Sequence, residues 1–272
     1  MKLGFSTNAF VKKTLTDTIQ SISKFGFEGI EIVLDIPHAF LPLTQAKTQA
    51  IKKHLKHCGL QVSNLNANTA TGWYGNKLPK DQFEPSLSNL DGKLRQWRID
   101  YSKQAIDLAC DFDASSICIT SGLKNLANKI ELFQDSLVEI SQHAEKKNIR
   151  IAIEYEPGLL IGTANNVFDI MKNYKNVGLN LDTCHAAVLN EDIPQIIDKF
   201  NKKVFHTHIS DCKDNIHFHL IPGLGEVNFE KVIASLRKVN YDGFLTAELY
   251  TYSDKPEQAA KDTFIYLSNL IN

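Results

Sequence analysis

Apolar and polar positions along the chain follow two periods. Short runs rich in Ile, Val, Leu and Phe are separated by longer stretches whose apolar residues recur every three or four positions. The short runs predict eight strands, at 2–7, 28–34, 60–66, 115–121, 149–155, 177–182, 203–209 and 243–249. The longer stretches predict helices near 16–25, 44–57, 93–110, 127–147, 164–174, 191–200, 228–239 and 256–270. A strand followed by a helix, eight times in 272 residues, predicts an α/β protein: a (β/α)8 TIM barrel forming a single domain over residues 1–272. No strand runs into a G-x-G-x-x-G turn, which disfavours a doubly wound dinucleotide-binding sheet.

The strand period of two also assigns faces. In the run IAIEYEPG, Ile151, Ile153 and Tyr155 share one face, and Ala152, Glu154 and Glu156 share the other. In VGLNLDTCH, Gly178, Asn180 and Asp182 point to the barrel axis; in KVFHTHISD, His206 and His208 do; in FLTAELY, Thr246, Glu248 and Tyr250 do. Four consecutive strands therefore aim Glu154, Asp182, His208 and Glu248 at one space, at the C-terminal ends where barrel active sites are built.

Three carboxylates in a poorly solvated cavity repel one another and lose hydration, so a positive partner is required. The basic residues of these strands do not supply it, because Lys2, Arg150 and Lys203 lie at strand starts, at the opposite end of the barrel. Protonation, a loop cation such as Lys213, or a bound divalent metal would each serve. A donor set of three carboxylates and one imidazole suits one divalent ion, such as Mn2+, Mg2+, Co2+ or Zn2+. Glu156, one layer further out, is read as a support behind the ligands, a substrate contact or a residue of the rim. Inward Glu31 on the second strand is read as touching substrate or as solvated, and His206 as a hydrogen-bonded core histidine.

One connection breaks the spacing. Residues 67–92, rich in Gly, Pro, Asn and aromatics, are too many for an ordinary link between a strand and its helix. They are predicted to form a lid that carries Trp73, Tyr74 and Phe83 over the site, with Trp73 against substrate.

Composition narrows the partners. The net charge is −1 and the 30 Lys and Arg residues are scattered, which leaves no electrostatic footprint for nucleic acid or an anionic membrane. No apolar stretch approaches the ~20 residues of a membrane span, and MKLGFSTNAF lacks a signal-peptide core, so a cytoplasmic protein is expected. The five cysteines form no C-x-x-C pair. A small, near-neutral ligand is the expected partner, and a homo-oligomer is compatible with the reading.

The segments IEYEPG, NLDTCH, THISD and TAELY, in this order on strands five to eight, resemble the xylose isomerase-like TIM barrels, as do KFGFEGIEI and PGLGEVNFEKVIASLRKVNYDGFLTAEL. That superfamily holds sugar isomerases, ketose 3-epimerases, hydroxypyruvate isomerase, inosose dehydratase and isomerase, and endonuclease IV. The resemblance implies that Glu154, Asp182, His208 and Glu248 are metal ligands. It also implies that His185 binds a substrate hydroxyl or adds a ligand, and that Glu154 and Glu248 double as acid and base. His217 and His219 stand where endonuclease IV carries ligands to a further zinc; here contact with substrate is expected of them. Asn66 on the third strand and Thr120 on the fourth stand where that nuclease has histidines, and Asn66 is expected to contact substrate. Against the tagatose epimerase pattern, Leu160 replaces a second glutamate and Asp214 replaces an arginine. The turn PGLG could present backbone N–H groups to a phosphate.

The resulting expectation is a metal-dependent isomerase or epimerase of a small sugar, sugar phosphate or related polyhydroxy ketone, working by proton transfer through an enediolate. The alternatives are a dehydratase of an inosose-like ketone on the same site, a zinc-dependent DNA repair nuclease, and a non-catalytic sugar-binding barrel.

Overall fold

The computed structural model describes residues 1–75, 83–125 and 127–271. The barrel strands are β1 (Lys2–Ser6), β2 (Gly29–Val33), β3 (Gln61–Asn66), β4 (Ser116–Ile119), β5 (Arg150–Glu154), β6 (Val177–Asp182), β7 (Val204–Ile209) and, after a short ribbon of β8 (Asp211–Lys213) and β9 (Ile216–Leu220), β10 (Phe244–Ala247). The barrel is closed and parallel in the order β1-β10-β7-β6-β5-β4-β3-β2, while β8 and β9 form a separate antiparallel pair. Every predicted strand contains an observed one.

Burial on both faces explains the near-continuous apolar runs. Ile151, Ala152 and Ile153 of β5 and Val177, Leu179 and Leu181 of β6 are all fully buried. The surrounding helices are α1 (Leu15–Ser23), α2 (Gln45–His57), α3 (Thr71–Tyr74), α4 (Gly92–Asp111), α5 (Ile130–Lys146), α6 (Ala164–Met171), α7 (Thr183–Val188), α8 (Ile193–Phe200), α9 (Phe229–Lys238) and α10 (Pro256–Ile271). Thr14, Thr44, Asp91, Thr163, Asp192 and Asn228 each cap a helix start with a side-chain oxygen, satisfying amides that have no partner within the helix. No described helix is long and apolar enough to cross a membrane.

The predicted lid is only partly covered, because residues 76–82 lie outside the described residues. Its first part is anchored. The Asp35 carboxylate accepts from the amides of Ala70, Thr71 and Gly72, and buried Arg98 of α4 donates to the carbonyls of Ala67, Thr69 and Pro85. These tethers turn Trp73 outward onto Trp97 of α4, ring centroids 4.4 Å apart. The expectation that Trp73 meets substrate is therefore corrected: its indole packs on the outer helix layer and is not among the described residues lining the cavity at the strand ends.

The turn PGLG is corrected too. Its amides point at Asp211, a fully buried carboxylate that accepts from Gly223, Gly225 and Val227 as well as Cys212. A Cβ at Gly225 would run into this carboxylate and into the Cys212 carbonyl, so the position needs glycine. No amide of that set is left for a phosphate. Replacing Asp211 with alanine would strand those donors, and a loss of about 2–4 kcal/mol is expected in urea unfolding. A midpoint equal to that of the wild type would show that the carboxylate is dispensable.

Candidate metal centre

The register of the late strands builds the site. Asp182 of β6 pairs with His208 of β7, and His208 pairs with Thr246 of β10, two residues before Glu248. Glu154 ends β5. All four side chains are buried, and one donor atom from each of Glu154, Asp182, His208 and Glu248 lies within 4.8 Å of the others.

Each member is fixed by a different local cause. Asp182 is the N-cap of α7: one carboxylate oxygen accepts from the His185 amide at 2.9 Å, and the other, Oδ2, is buried with no hydrogen-bond partner. His208 places Nδ1 at 2.6 Å from Glu154 Oε1 and 3.3 Å from Glu248 Oε2. Its Nε2 meets Glu31 Oε2 at 2.8 Å. Among the described residues, the ion pairs of Glu31, Glu154, Asp182 and Glu248 are all with histidines, none with lysine or arginine.

The electrostatics follow from that enclosure. Burial alone would lower the His208 pKa, but the carboxylates of Glu248, Glu31 and Glu154 outweigh it and hold the imidazole well above its ordinary range. Burial would raise Glu31, yet the charge of His208 pulls it well below the usual carboxylate range. Asp182 is likewise drawn down, against its burial, by His185, His219 and His208. Glu248 is raised, chiefly by burial, and so is Glu156, well above the carboxylate range, by burial and then by Glu154, Glu248 and Asp182.

Above the cluster opens a cavity of about 390 Å3, lined by Glu154, Glu156, Glu248, Tyr250, Asn66, Asn68, Phe83 and Thr120 together with three histidines. His185 has Nδ1 at 2.9 Å from the Tyr155 carbonyl, and His219 has Nδ1 at 3.0 Å from the Glu248 carbonyl. Those contacts leave the Nε2 atoms to the cavity. His217 completes the group, its Nε2 3.2 Å from His219 Nε2 and its Nδ1 4.0 Å from a Glu156 oxygen. Burial, followed by the neighbouring His185 and His219, lowers His217 to about 4, so it is neutral at physiological pH. Asn66 is held on the wall by Asn68, which in turn accepts from Thr120. A smaller cavity of about 210 Å3 adjoins this one and shares Asn68, Phe83 and Thr120 with it.

Of the residues singled out in the sequence, the structure brings Glu154, Glu156, Asp182, His185, His208, His217, His219, Glu248 and Asn66 into or around one space and places Trp73 elsewhere. Glu31 touches neither solvent nor the cavity lining: it is fully buried beneath the cluster, against His208. His206 also lies under the cluster, 3.5 Å from the same Glu31 oxygen, with Nε2 lacking a hydrogen-bond partner. Asn180, which had no assigned role, is buried with Nδ2 at 3.1 Å from His208 Nδ1. Its inward register on β6 was the available signal.

The chain is 26% identical to fructoselysine 3-epimerase of Shigella flexneri, over 96% of its own length and 95% of that protein. It is 21% identical to 3-dehydro-D-guloside 4-epimerase of Escherichia coli K12, over 98% of its length and 99% of the other. Among solved structures, the IOLI protein with a binding zinc atom superposes with a TM-score of 0.81 at 20% identity, covering 100% of this chain and 98% of that one. The model of the xylose isomerase-like TIM barrel family matches residues 19–270, and the chain belongs to that family.

Proposed function

We propose that the protein is a divalent-metal-dependent epimerase or isomerase of a small polyhydroxy carbonyl compound. The observation that carries this reading is a buried set of donors, one each from Glu154, Asp182, His208 and Glu248, all within 4.8 Å of one another, in which Asp182 also keeps a buried oxygen, Oδ2, without a hydrogen-bond partner. A buried, orphaned carboxylate oxygen on a member of such a set fits a cation, because without one its desolvation is uncompensated. Glu154, Asp182, His208 and Glu248 would hold the ion. When bound, a divalent ion supplies Lewis-acid polarisation of the substrate carbonyl and stabilises the charge of an enediolate.

The chain's own residues supply the proton transfers. One of Glu154 and Glu248, on strands separated in the barrel by β6 and β7, removes the proton beside the carbonyl. The other returns a proton, to the opposite face in epimerisation or to the neighbouring carbon in isomerisation. His185, His217 and His219 present ring nitrogens to substrate hydroxyls, and Glu156, with its raised pKa, offers a hydroxyl donor to the same group. Phe83 covers one side of the cavity and excludes water. The relatives fructoselysine 3-epimerase and 3-dehydro-D-guloside 4-epimerase support epimerisation, and the zinc of the solved relative supports a metal.

The test couples metal analysis of the purified protein with a screen in D2O of ketoses, amine-linked ketoses such as fructoselysine, 3-keto glycosides, inososes and hydroxypyruvate. One divalent ion per chain and deuterium at the carbon beside the carbonyl of at least one substrate are expected. A protein that takes up no divalent ion and labels no compound would overturn the proposal.

A further inference from the structure

We propose that Glu31 is a positioning residue: it holds the proton of His208 on Nε2 and so turns Nδ1 toward the cation that the proposed function requires. The inference rests on that reading of the metal centre.

β2 and β7 are not neighbours in the sheet, yet Glu31 reaches across the axis to place Oε2 at 2.8 Å from His208 Nε2. The carboxylate is itself held. Asn64 of β3 donates to the same Oε2 at 2.9 Å, and Ser116 of β4 donates to Asn64 Oδ1 at 2.9 Å. Glu31, Asn64, Ser116 and His208 are all fully buried, so this chain of hydrogen bonds has no competition from water. The opposite ring nitrogen, Nδ1, is the one near Glu154, Glu248 and Asn180.

An imidazole that binds a metal through one nitrogen must carry its proton on the other, and a carboxylate behind the ring fixes both that choice and the ring's angle. Glu31 cannot serve as a fifth ligand through its bonded oxygen, because it meets the far side of the ring. Its contact with His208 is therefore spent on orientation. Loss of such a partner typically weakens metal binding about 10–100-fold.

The test compares wild type with Glu31→Gln, using Co2+ titrated calorimetrically into metal-free protein and 1H–15N NMR of the Zn2+-loaded protein. In wild type, a low-field imidazole N–H is expected on His208 Nε2, with Zn2+ on Nδ1. In Glu31→Gln that resonance should move upfield and the Co2+ Kd should rise about 10–100-fold, while the circular dichroism stays that of the folded barrel. Unchanged Kd and an unmoved resonance would overturn the assignment, even if the variant melted earlier, because a purely structural role moves the melting point and neither of the other two. Should the variant fail to fold, the wild-type spectrum decides alone: Zn2+ on Nε2, or the proton on Nδ1, overturns the proposal. If wild type binds neither Co2+ nor Zn2+, the metal-dependent function fails with it; tight wild-type binding with no difference in the variant removes only the role of Glu31.

Discussion

Glu248→Gln and Glu154→Gln should each slow turnover by about 10^2–10^4-fold, the range by which a positioned general acid or base accelerates a proton transfer. The substitution is nearly isosteric and keeps a carbonyl oxygen facing the cluster, while removing the capacity to take or return a proton. Both carboxylates meet the His208 ring, a contact that an amide oxygen can still make, and β5 is held to β4 and β6 by its backbone. Melting temperatures close to wild type are therefore expected. The measurement is deuterium incorporation by NMR, with metal content determined on the same samples. A variant that retained its metal and kept its rate within tenfold of wild type would remove that glutamate from the acid–base pair.

Chelation should have the second large effect. Stripping the divalent ion with EDTA should abolish turnover and lower the melting temperature, and the gap between loaded and stripped protein should widen as pH rises from about 6 to 9. The sign follows from which group carries the compensating charge. In the stripped protein that group is His208, whose pKa the surrounding carboxylates raise. A group raised on folding contributes stability that is complete below its unfolded pKa, about 6.5 for histidine, and that fades as pH climbs through the folded value. Glu248, also raised, adds to the same trend because its ionisation in the ion-free site is opposed by burial. Ion binding runs the other way, since the ligands must shed protons to bind and do so more readily at higher pH. Differential scanning fluorimetry with and without EDTA across that range reads the gap directly. A gap that stayed constant or narrowed would mean that His208 is not the stand-in cation.

The barrel was legible because both of its periods are written in adjacent residues. Ile151 and Ile153 against Glu154, or Leu179 and Leu181 against Asp182, declare a strand and its inward face together. The same alternation on four successive strands, combined with parallel closure, placed the four cluster residues without any knowledge of distance. What escaped depends on contacts that the period of one strand does not encode. Glu31 was visible as inward, but its partner lies across the axis on a strand it does not pair with. The aromatic character of Trp73 announced packing without saying on which side, and that side was settled by the tethers of Asp35 and Arg98 to its loop. The amides of PGLG suggested an anion, and an anion is there; it is the side chain of Asp211, more than ten residues earlier in the chain.

That internal anion also divides the molecule's labour. His217 and His219 ride on a two-stranded ribbon that lies outside the closed hydrogen-bond ladder of the barrel, and Asp211 pins the base of that ribbon to the turn behind it. Ile216 at the ribbon's tip and Phe218 on its outer face are exposed, and the ribbon pairs with no strand of the barrel. Under the proposed function, exchange of the cavity-lining ribbon residue His217 would alter what the cavity admits while the cluster below keeps its shape, so preference for substrate and capacity for chemistry would lie on separate parts.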